Sequence, residues 1–206
     1  MKLLSILVCL VFVSCQQKET QNIASLNHNE PKTFEEKLSS AAISIIDSTI
    51  DYDPSYFKIE YPNGDVPKNK GVCTDVVIRS YRKLGIDLQK EVHEDMIENF
   101  SQYPNLKKWG MTKTDSNIDH RRVPNLEVFF ERKGTKLPVT QNAKDYKTGE
   151  IVTWMINDKL PHIGIVTNKK SRDGKRNLIV HNVGRGQVLD DCLFDYKIVG
   201  HYKYSK

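Results

Sequence analysis

The sequence predicts an α+β domain in which N-terminal helices pack on an antiparallel sheet. Between residues 33 and 134, four separate runs carry helical signals, with turn-rich or loop segments between them. After Thr148 the texture changes to short segments rich in β-branched and aromatic residues, separated by turn signals. At 206 residues, 38% hydrophobic and 28% charged, the chain is long and apolar enough to bury one core. The net charge of +5 is spread among acids, which gives nucleic acid no concentrated basic face.

Residues 1–14 stand apart from the fold. Lys2 precedes an apolar run from Leu3 to Val13, too short to span a bilayer and of the length of a secretory signal. The run ends in "FVSC", which resembles the lipobox of bacterial lipoproteins; this implies cleavage before Cys15 and lipid on its thiol. An ordinary signal peptide with an incidental cysteine is the other reading. Residues 15–32 are polar and read as a flexible tether. The expectation is an exported lipoprotein held at a membrane through Cys15, in the periplasm or on the cell surface, with the outer membrane favoured. A domain over 33–206 follows.

Thr33 and Glu36 form a capping box ahead of Leu38, Ala41, Ala42, Ile45 and Ile46 at helical spacing. Residues 56–71 are turn-rich, with a short strand expected over Tyr56–Tyr61. A helix opens at Cys73, carries Val76, Val77, Tyr81 and Leu84 on one face and stops at Gly85. A third lies in "VHEDMIENFSQY". Residues 109–123 read as a loop, and Pro124 starts a helix through Arg132 closed by Gly134. The strands are "GEIVTWMI", "HIGIVTN", "NLIVHNV" and "YKIVGHYKY", with "KKSRDGKRN" as a hairpin loop. "VGRGQ" lacks the lysine and following helix of a phosphate loop and reads as a turn.

Of four cysteines, Cys73 and Cys192 remain in the domain, and no spacing is of the metal type, so neither metal nor cofactor is expected. A sulfur at a helix start lies in the positive end of the dipole, which lowers a thiol pKa. A small buried hydrophobe is the other reading of Cys73. Among six histidines, His162 and His181 fall on strands that the hairpin makes neighbours. A helix-borne cysteine, a strand-borne histidine and a polar group on the next strand form the papain-type arrangement.

The segments "GVCTDVVIRSYR", "VHEDM", "NIDHRRVPNL", "GEIVTW", "PHIGIV", "VHNVGRG" and "IVGHY" resemble the bacterial domain of unknown function 1287 family, over roughly residues 55–206. That family is similar to NlpC-type cell-wall cysteine peptidases and amidases. The resemblance implies a papain-like fold, Cys73 as nucleophile, His162 as base, His181 as orienting residue and Tyr61 in support. Where those enzymes carry Asp-Cys-Ser-Gly, this chain has Val-Cys-Thr-Asp. Asp75, His120, Arg121, Arg122 and Trp154 are candidates for binding substrate. An arginine of the Arg121–Arg122 pair is suited to a peptidoglycan carboxylate; a structural ion pair to Asp115 or Asp119 is the equal alternative. Plain core packing is the stronger reading of Trp154.

The expected function is a monomeric, lipid-anchored thiol hydrolase of amide bonds in peptidoglycan stem peptides. A non-catalytic cell-wall-binding module on the same fold, and a metal hydrolase using His120, His162 and His181, are the rivals.

Overall fold

The computed structural model describes residues 33–206. The expected signal segment, the tether and Cys15 lie outside the described residues. No described helix is long and apolar enough to cross a membrane.

The domain opens with α1 (Phe34–Ser44). Its start is fixed as the sequence predicts: Glu36 N–H donates to Thr33 Oγ1 at 3.2 Å, and Thr33 N–H to Glu36 Oε2 at 3.1 Å. Two short strands, β1 (Asp51–Tyr52) and β2 (Lys70–Gly71), then pair in parallel. They bracket the segment expected to be a strand. Tyr56–Tyr61 is irregular, because polar side chains take up its bonds: Ile59 N–H donates to Asn117, and the Tyr56 hydroxyl to Asp115.

α2 (Cys73–Arg82) follows, and Gly85 beyond it takes φ +77°, the left-handed region that glycine reaches without strain. α3 (Leu88–Asn99), α4 (Asn105–Trp109) and α5 (Val123–Lys133) complete the helices. α4 carries no legible period because it has five residues.

The sheet contains β3 (Thr135–Lys136), β4 (Ile151–Ile156), β5 (Leu160–Lys170), β6 (Asn177–His181), β7 (Val188–Asp190) and β8 (Lys197–Lys203). The strands are antiparallel in the order β3-β8-β4-β5-β6-β7. This is the α+β layout that the sequence predicts, helices first and an antiparallel sheet second.

Both faces of the sheet are buried. Ile151, Ile163, Ile165 and Val180 join Val76, Val77, Tyr81 and Phe130 in the core beneath the helices. Val152, Trp154, Val166 and Ile179 alternate with them and pack under Tyr146, Cys192 and Leu193 in a second core.

Candidate active site

Cys73 is the first residue of α2 and is 4% exposed. Its sulfur contacts the backbone amide of Ile163, the residue after His162. It also meets the hydroxyl of Tyr52. The parallel pairing of Tyr52 with Gly71 places that ring two residues before the cysteine. Tyr61, expected in this supporting position, instead packs edge-on against His93 at 5.1 Å and is 40% exposed. Tyr61, implied by the family resemblance, is the tyrosine nearest before the cysteine in sequence. A two-residue parallel ladder leaves no periodic signal that would have singled out Tyr52.

The expected lowering of the thiol pKa is reversed. Burial pushes Cys73 up to about 12, and the Asp75 carboxylate adds to the rise. Desolvation outweighs the helix end. Cys192 is likewise pushed to about 12, chiefly by burial and then by Asp190 and Asp195. Both cysteines are free.

His162 and His181 come together as expected. His162 Nε2 lies 2.8 Å from His181 Nδ1. The register that pairs Ile165 with Val180 continues to put His181 opposite Gly164, two residues along from His162 on the same face. Gly164 permits this: a Cβ there would stand 2.7 Å from the Ile179 side chain and 3.2 Å from His181 Cβ. Burial holds His162 down to about 3, with the neighbouring His181 adding to the effect. His162 shares its face of the sheet with Trp154 of β4, opposite it in register and 5.7 Å away ring to ring. Ile163 faces α2 instead. The thiol therefore reaches the peptide that follows His162, and no hydrogen bond joins Cys73 to the imidazole among the described residues.

A cleft of about 490 Å³ opens over Cys73, walled by Tyr52, Tyr56, Trp109, Arg122 and Pro161. The other substrate-binding candidates divide around it. Asp75 is committed to structure: it accepts from Val72 N–H at 2.7 Å and from Arg121 Nε and Nη2 at 3.0 and 3.1 Å. Arg121 also donates to the carbonyls of Ser55 and Asp53, tying the chain beside Tyr52 to α2. Its ionic partner is thus Asp75 and neither Asp115 nor Asp119. Arg122 has no carboxylate within 4.0 Å among the described residues, and its guanidinium lies 4.0 Å over the Trp109 ring. His120 is buried away from the cleft, with Nδ1 unpartnered and its pKa pushed down to about 3 by burial and Arg121. Trp154 is fully buried and donates to Leu193 O at 2.9 Å, so it packs behind His162 and does not wall the cleft. No group of three or more His, Cys, Asp or Glu among the described residues is arranged to hold a metal ion.

A family model described as "Domain of unknown function (DUF1287)" matches residues 39–204. The chain belongs to this family. A relative from Escherichia coli (strain K12), the "Uncharacterized protein YijF", is 49% identical over 167 residues, covering 81% of this chain and 80% of the relative. Two solved structures are similar at lower identity. NlpC1 from Trichomonas vaginalis matches at 14% identity and TM-score 0.44, over 87% of this chain; the chain spans about half, 49%, of that structure's length. An N-acetylmuramoyl-L-alanine amidase from Bacteroides uniformis matches at 12% identity and TM-score 0.46, over 83% of this chain and 99% of that one.

Proposed function

We propose that the domain is a thiol hydrolase of amide bonds in peptides that carry free carboxylates, peptidoglycan stem peptides foremost. The observation that carries this reading is the cleft itself. It holds a thiol at a helix start, in contact with the peptide after His162, below an arginine that has no carboxylate within 4.0 Å among the described residues. In the reaction, Cys73 Sγ attacks the amide carbonyl carbon and its proton passes by way of water to the free nitrogen of His162, whose ring lies on the other face of the sheet. That proton then goes to the leaving amine as the C–N bond breaks. Water hydrolyses the resulting thioester with the same base. His181 holds His162 by its far nitrogen, and Arg122 receives a substrate carboxylate in two parallel hydrogen bonds. The protein acts as a monomer, exported and held through lipid on Cys15 at the outer membrane.

A second reading is a binding module on the same frame. The protonated thiol and the missing bond between Cys73 and His162 favour it. Mass spectrometry of purified peptidoglycan, incubated with residues 33–206 and with the Cys73→Ala variant, separates the two. New cleavage products that need Cys73 support the hydrolase. Retention on peptidoglycan without products supports the module.

A further inference from the structure

His181 has a second contact beyond His162. Its other nitrogen, Nε2, faces Asp190 Oδ2 at 3.5 Å and Cys192 Sγ at 3.7 Å. Val188 lies opposite His181 in the β6–β7 register, which puts Asp190 diagonally across from it on the same face. His162, His181 and Asp190 therefore form one row across β5, β6 and β7. Arg185 Nη2 donates to the same Asp190 oxygen, Oδ2. Asp195 adds a further negative charge near His181.

The row has only two consistent proton arrangements. Between two neutral imidazoles 2.8 Å apart, one nitrogen donates and the other accepts. If His162 donates from Nε2, its Nδ1 is a bare lone pair able to take a proton. His181 must then carry its own proton on Nε2 and donate it outward. If His181 donates from Nδ1, the proton of His162 moves to Nδ1 and the base is blocked. His181 Nε2 is then a bare lone pair facing outward.

The groups beyond His181 decide between these states. A carboxylate accepts and cannot donate, so Asp190 rewards a proton on Nε2. The Cys192 thiol is a weak donor and rewards the opposite state. We propose that Asp190 is a positioning residue: through His181 it sets the tautomer that leaves His162 able to act as a base. This rests on the assignment of His162 as the base in the hydrolase reading.

Nitrogen-15 spectra of side-chain-labelled histidine in residues 33–206 at neutral pH test this without any substrate. His162→Gln and His181→Asn variants supply the assignments. In the wild type both rings should be protonated at Nε2. Asp190→Ala should shift the tautomer ratio of both rings toward Nδ1–H by about tenfold or more, the loss of a charge-assisted acceptor. Asp190→Leu, which has no acceptor, should do the same if the alanine variant folds poorly. Asp190→Glu should restore the wild-type spectrum, and Cys192→Ala should leave it unchanged. Wild-type tautomers retained in a folded Asp190→Ala or Asp190→Leu variant would overturn the proposal. So would Nδ1–H on His181 in the wild type. A domain that cuts no peptide leaves this result readable, so the two failures are distinguishable.

Discussion

Arg121 holds Asp75 through two hydrogen bonds, 3.0 and 3.1 Å long, with both side chains almost wholly buried. The pair locks the start of α2 to the segment that presents Tyr52. Removing one partner strands a buried charge. Arg121→Ala should therefore cost about 3–5 kcal/mol, read as a lower urea midpoint with an unchanged slope. A loss under about 1 kcal/mol, the scale of an exposed pair, would mean that the pair does not hold the site.

Tyr52→Phe keeps the ring and removes the hydroxyl that meets the Cys73 thiol. A net hydrogen bond of about 1 kcal/mol corresponds to about fivefold. Alkylation of Cys73 by iodoacetamide should slow by that factor, while Tyr61→Phe should leave the rate unchanged. Equal effects would return the supporting role to Tyr61.

The free thiol is protonated at neutral pH. Its alkylation rate should keep rising from pH 7 to pH 10 with no plateau, since burial raises the Cys73 pKa to about 12. The same shift has a stability consequence. Above the ordinary thiol pKa the unfolded chain has lost a proton that the fold retains, so stability falls as pH rises through that range. A plateau near pH 7 would show a preformed thiolate.

His120 and His162 predict the opposite limb. Both are held down to about 3 by burial, so below the ordinary histidine range the unfolded chain binds protons that the fold refuses. Stability should fall as pH drops from about 6.5 toward 3, by up to about 1.4 kcal/mol per pH unit for each ring. His181 is also held down by burial, so His120→Gln should flatten this limb by removing one of three histidine contributions, as followed by thermal melts across pH. An unchanged slope would mean that His120 is protonated in the fold.

If products form, Arg122→Ala should raise KM for substrates with a free carboxylate by about tenfold or more, the scale of a bidentate charge-assisted pair. Arg122→Lys should recover only part, because a lysine cannot form two parallel bonds. A KM effect equal for amidated and free-acid substrates would remove Arg122 from recognition.

The elements with a long periodic signal were legible in the sequence. The capping box at Thr33 and Glu36, the helix from Cys73 and the four long strands all stand where spacing put them. The elements that escaped are short: β1, β2, β3, β7 and α4, of two to five residues, set by tertiary contacts and not by pattern. The site was legible to the same degree. The adjacency of His162 and His181 follows from the hairpin, and Cys73 from its helix start. The pairing of Arg121 with Asp75 spans 46 residues and left no local trace. The thiol pKa was misjudged because sequence shows a helix dipole but not the depth of burial around it.

The alternation along β5 has a consequence for how this chain can change. Ile163 and Ile165 belong to one core, and His162, Gly164 and Val166 face the other way. Losing one residue between Pro161 and Gly164 would swap the faces of the side chains on one side of the deletion, sending either isoleucine toward His181 or imidazole toward Tyr81. The tip of the β5–β6 connection is exposed and polar, with Asp173 and Gly174 at the turn. Length variation among descendants of this sequence should gather there and stop short of Gly164.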